Sequence, residues 1–149
     1  MGAAVTAGAG FLLAVLWFDL MFDVQVLRLR GGPVPEAVLA SVAGYYRRVT
    51  SEARPMNRLV AAAMLATLVA IGAQAAIGGT PAWVSVVSAA AALTGIGLAG
   101  ARTVPAAVRL GGRSDPPDVQ ARLARAIGRD HLVCLAAIAT LLVIQLGWG

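Results

Sequence analysis

The chain has 149 residues, one domain by length, and is 59% hydrophobic with only 13% charged residues, which excludes an ordinary soluble domain. Its net charge of +5 does not mark a nucleic-acid binder, because all twelve basic residues are arginines confined to two stretches, 28–58 and 102–129. A single cysteine, Cys134, excludes an internal disulfide and a cysteine-based metal site, and the absence of lysine fits a GC-rich, bacterial coding sequence.

The first predicted element covers residues 3–27, an apolar run that exceeds the roughly 20 residues needed to cross a bilayer as a helix. Asp19 and Asp23 interrupt it. Four apart, they share one helix face. An ionisable group at membrane depth costs roughly 2.5–3.5 kcal/mol by insertion scales, so each acid calls for a partner or a task. With Arg28 at the interface, Asp23 lies about 7 Å below it and Asp19 about 13 Å, at a rise of about 1.5 Å per residue. Asp23 is therefore expected to reach the interface, and Asp19 to face the bundle interior. Arg102, at the matching end of the third apolar run, is the expected counter-ion of Asp19 in a structural clamp. Proton transfer, ion passage or catalysis by Asp19 is the alternative.

The first basic loop, 28–58, contains a predicted helix over 35–49, with Val38, Val42, Tyr45 and Val49 at helical spacing and Pro35 in its first turn. It reads as an amphipathic helix lying at the cytoplasmic interface with arginines toward lipid phosphates, or else as a partner-binding helix. Tyr45, Tyr46 and Asn57 are lesser site candidates. Asn57 follows Pro55 and is expected to satisfy free backbone N–H groups at the start of the next span.

The second and third spans, 59–77 and 83–101, are joined by the uncharged turn Gly78-Gly79-Thr80-Pro81. Gly95, Gly97 and Gly100 would let a neighbouring helix approach closely. In the second basic loop, 102–130, Ser114-Asp115-Pro116-Pro117-Asp118 is a helix start. That helix, with an Asp118–Arg122 pair four apart, runs into the fourth span, 131–148, with Gly128 as its weak point. Arg129-Asp130-His131 stands at the entrance of the last span. His131, the single histidine, is a candidate proton carrier or an interfacial residue.

Four spans put both arginine loops on one side. By the positive-inside rule that side is cytoplasmic and both termini lie outside the cell (inner) membrane, with Trp83 and Trp148 at the outer interface. The halves also resemble each other. Residues 58–71 laid on 131–144 share seven of fourteen positions, Leu59/Leu132, Thr67/Thr140 and Ile71/Ile144 among them. Arg28-Leu29-Arg30-Gly31-Gly32 echoes Arg109-Leu110-Gly111-Gly112. The expected fold is thus all-α: a single membrane domain, 1–149, with a four-transmembrane-helix bundle of two similar hairpins in parallel repeat, plus the amphipathic helix. In the repeat register Arg58 matches His131, while Asp19 falls opposite Gly100.

The segment Arg102-Thr103-Val104-Pro105, then Arg109-Leu110, and Arg129 to His131 before a last span resembles small four-span anthrone-oxygenase-like membrane proteins. That resemblance implies an enzyme acting on a lipid-soluble substrate. The chain departs from it in two places: Ala106 stands where an asparagine is expected, and no tryptophan precedes the last span.

Phosphate-loop, dinucleotide, nucleophile-elbow and zinc-protease motifs are absent from the sequence. One histidine and no usable cysteine make a poor transition-metal set, so neither a metal nor a cofactor is expected. The leading expectation is a non-catalytic membrane subunit or homo-oligomer whose arginine face binds anionic lipid head groups or a protein partner. The alternatives are a small membrane enzyme with Asp19, Asp23 and His131 as acid/base groups, and an oligomeric transporter or channel with Asp19 in the path. Arg102, Arg58, Asn57, Arg129 and Tyr45 are the ion-pair or substrate-binding candidates.

Overall fold

A computed structural model describes residues 2–29 and 31–149; Met1 and Arg30, an arginine of the first basic loop and of the repeat motif, lie outside them. Among the described residues the chain is helical and without strands. The helices are α1 (Gly2–Leu27), α2 (Glu36–Arg47), α3 (Arg54–Ile77), α4 (Ala82–Leu98), α5 (Val104–Gly111) and α6 (Pro117–Trp148). A π turn at Arg48–Glu52 follows α2, and another at Ala99–Thr103 joins α4 to α5 in one rod, Ala82–Gly111. Four helices are long and apolar enough to span a membrane: Gly2–Leu27, Arg54–Ile77, Ala82–Gly111 and Pro117–Trp148. A helix suits that setting because it satisfies its own backbone polar groups.

The four long helices close a bundle in the cyclic order α3, α1, α6, α4, so that α1 and α4 lie on a diagonal. One layer of the core, including Val5, Ala9, Leu12, Ile138 and Leu141, fills the centre. At one end Gly2 abuts Gly149, and the Trp83 and Trp148 rings meet edge-on at 5.4 Å. The arginines gather at the other end, where a second apolar cluster joins Val26, Leu39, Val42, Leu110 and Ile127.

That second cluster corrects the expectation for α2. The buried face is Leu39, Val42, Ala43 and Tyr46; of the expected stripe only Val42 is fully buried, and Val38, Tyr45 and Val49 are partly exposed. The helix is turned because it folds inward against α1, α5 and α6 instead of lying on the surface. Its contact with α5 is backbone-close at Gly111. A Cβ there would stand 2.8 Å from the Arg47 nitrogen, and backbone cannot rotate away. Gly111→Ala is therefore expected to destabilise the fold by about 1–3 kcal/mol, read as a lower midpoint of unfolding in detergent; an unchanged midpoint would show that α2 is not docked there.

The helix beginning at Pro117 does run unbroken into the fourth span. Gly128 is no break: it is where the Leu27 side chain seats, 3.0 Å from the position of a Cβ. Of the three glycines of α4 and its π turn, only Gly95 lies against a neighbour, Ile138, while Gly97 and Gly100 face open space.

Candidate active site beside an apolar cavity

The chain has seven acidic residues. Five pair with arginines: Glu52 with Arg47 at 3.0 Å, Asp130 with Arg102 at 3.3 Å, Asp115 with Arg109 at 2.8 Å, Asp118 with Arg122 at 2.7 Å, and Glu36 with Arg113. These arginines are mostly solvent-facing, and pairs of that kind contribute little to stability. The Arg109 hydrogen bond, for instance, holds the Asp115 carboxyl below the usual carboxylate range. Asp19 and Asp23 take other partners.

Those partners come from α2 and α6. The Tyr46 hydroxyl donates to Asp23 Oδ1 at 2.6 Å, and His131 Nδ1 lies 2.7 Å from Asp23 Oδ2. The Tyr45 hydroxyl donates to Asp19 Oδ1 at 2.7 Å, and its ring stacks on Phe22 at 4.0 Å. His131 Nε2 faces Asp19 Oδ2 at 3.7 Å, beyond hydrogen-bond range. One imidazole thus stands between two carboxylates, each held by a tyrosine.

The two acids differ in exposure. The Asp23 side chain is 0% exposed, His131 7% and Asp19 14%. A fully buried carboxylate needs donors, and Asp23 has two. As an acceptor it fixes the Nδ1–H tautomer, which turns the Nε2 lone pair toward Asp19. Burial, then the charge of Asp19 for Tyr45 and of Asp23 for Tyr46, pushes both phenols far above their ordinary range. Both therefore stay protonated donors at any ordinary pH.

Asp19, Tyr45, Tyr46 and His131 line a cavity of about 640 Å³. This falls within the roughly 300–1,000 Å³ of small-molecule sites. Its other walls are largely apolar, from Leu12, Val60, Met64, Ile96 and Ile138, with Thr50, Asn57 and Arg58 as further polar lining. It opens on the flank of the bundle, where its lining residues Phe18, Met56 and Val104 are exposed.

Of the residues singled out from the sequence, Asp19, His131, Tyr45, Asn57 and Arg58 line this one cavity, and Asp23 stands behind it. Several expectations are corrected. Arg102 is not the counter-ion of Asp19; it pairs with Asp130, because α4 lies diagonally across the bundle from α1 and beside α6. Asp23 does not reach an interface, since α2 folds over it. Asn57 donates its side-chain N–H to the Thr50 carbonyl at 2.8 Å, rather than accepting from a helix start. Arg129 is exposed and does not line the cavity. Tyr46, a lesser candidate by sequence, holds Asp23 and lies 3.4 Å from His131 Nδ1. The available signal was the placement of both tyrosines of the chain side by side on one helix.

Asp23 is bonded to His131 and Tyr46, and Asp19 to Tyr45; among the described residues no trio of side chains is arranged to hold a metal ion. The stretch 102–131 that resembles anthrone oxygenases contributes Thr103, Val104, Ala107 and His131 to the cavity, whereas its arginines point elsewhere. The chain matches no family model, no curated protein and no solved structure.

Proposed function

We propose that the chain is a small multi-pass membrane enzyme that moves protons on a lipid-soluble substrate. The observation that carries this reading is His131, held by a fully buried aspartate on one nitrogen and facing Asp19 beside an apolar cavity with the other. Perturbed, convergent titratable groups in a large apolar pocket are the usual mark of a catalytic site. His131 Nε2 is the general base that takes a proton from a hydroxyl or an activated carbon of the substrate. Asp23 orients the ring and stabilises the imidazolium so formed. Asp19, held by Tyr45, adds a second carboxylate beside the reacting group, and the proton returns from His131 to the product.

The side opening suits entry from the bilayer. In this reading the arginine-bearing end faces the cytoplasm of the cell membrane and both termini lie outside. The parallel repeat belongs to the same proposal. Thr67 and Thr140, matched in its register, each donate to the carbonyl four residues earlier, at 2.7 and 2.8 Å. A scaffold that works through its arginine face is less favoured, because at least five of its arginines are already paired with acids. A path through one chain is less favoured too, because Leu12, Ile138 and Leu141 pack the bundle centre.

The test is deuterium wash-in. The purified protein in lipid nanodiscs, incubated in heavy water with a total membrane-lipid extract, is expected to place solvent deuterium into at least one lipid-soluble compound seen by mass spectrometry. His131→Gln should not do so. Wild-type protein that leaves every compound unlabelled would count against acid–base chemistry at this site.

A further inference from the structure

Arg58 is unlike the paired arginines. It lines the cavity while remaining exposed at its mouth. The other acids of the chain are engaged elsewhere, five with different arginines and two in the tyrosine–histidine cluster. Arg58 stands in the second turn of α3, at the arginine-bearing end, and the planar fork of its guanidinium matches a carboxylate or phosphate with two parallel hydrogen bonds. The neighbouring Asn57 is fixed by its bond to Thr50. The cavity therefore carries a cation at its mouth, carboxylate-bearing Asp19 at another wall, and mostly apolar surface between.

From this juxtaposition we infer that the cavity takes an amphipathic molecule with an anionic head, a carboxylate or phosphate on an apolar chain, and that Arg58 binds the head. The inference rests on the cavity being the substrate site proposed above. It adds the substrate class and the direction of binding. The head is drawn to Arg58 and repelled by Asp19, so the apolar chain, with the group to be transformed, is laid toward His131. The same head chemistry is offered by a phospholipid of the bilayer or by a free amphiphile such as a fatty acid.

Equilibrium binding of radiolabelled oleate to the full-length protein in a neutral detergent tests this. Oleyl alcohol, with the same chain and no charge, should compete at least tenfold more weakly than unlabelled oleate. Arg58→Gln should bring the two competitors within about twofold, because each factor of ten is about 1.4 kcal/mol of head recognition. Arg54→Gln, an exposed arginine outside the cavity lining, should leave the ratio unchanged. Ala61→Trp, a change at an exposed lining position, should block both ligands. Phosphatidylglycerol competing as well as oleate identifies a bilayer lipid as the occupant; phosphatidylglycerol competing at least tenfold more weakly identifies a free amphiphile. Equal affinity for oleate and oleyl alcohol, both lost in Ala61→Trp, overturns the assignment of Arg58 and leaves the cavity as a substrate site. Binding of neither overturns both readings, and oleate binding that survives Ala61→Trp places the anion site outside the cavity.

Discussion

Asp23→Ala is expected to be among the most destabilising single substitutions in the chain, by about 2–6 kcal/mol, the cost of leaving two buried donors without their acceptor. The carboxylate is fully buried and accepts from Tyr46 at 2.6 Å and His131 at 2.7 Å. Alanine leaves both donors without an acceptor, and each such group costs about 1–3 kcal/mol. The readout is the unfolding midpoint in detergent. Asp23→Leu combined with His131→Leu should be far less harmful than the sum of the two single changes, because donor and acceptor are lost together. Additive losses, or an Asp23→Ala protein as stable as the wild type, would show that the cluster contributes no cohesion.

Asp19→Asn should give the opposite profile. Asp19 is partly open to the cavity, and asparagine still accepts from Tyr45 through its carbonyl oxygen. The fold should therefore be retained, with a midpoint shift below about 1 kcal/mol. The rate of proton transfer should fall by about 100- to 1,000-fold, the range for losing one group that stabilises developing charge, because the Asp19 carboxylate facing the imidazolium formed on His131 is neutralised. A matched loss of rate and stability would return Asp19 to a purely structural role. The contrast matters because the two acids are one turn apart on one helix, so any effect of general helix perturbation would strike both alike.

The four long helices were legible because their apolar runs are unbroken, and the arginine stretches mark their shared end. The acids were legible as a conflict, since charge inside such a run demands an answer. The answer itself was not legible. It depended on which face of α2 turns inward, and its buried stripe of Leu39, Val42, Ala43 and Tyr46 differs from the apolar spacing by about one residue in most positions. Such a rotation is decided by α1, α5 and α6 packing on it, not by its own periodicity. Depth alone points Arg102 at Asp19. Depth does not say which helices are neighbours, and the cyclic order of the bundle put Asp130 within reach instead.

Asp23 and His131 are 108 residues apart, one on the first long helix made and the other on the last. During synthesis α1 must carry its acids before α6 exists to meet them. Until α2 folds inward and α6 arrives, those carboxylates lack their donors, which in the membrane placement proposed above costs a few kcal/mol for a lone acid. Assembly errors that leave either helix out of place are thereby penalised in proportion to the number of donors left unmet. The cluster thus ties the packing of α1, α2 and α6 together, since each of its hydrogen bonds needs two of these helices in place.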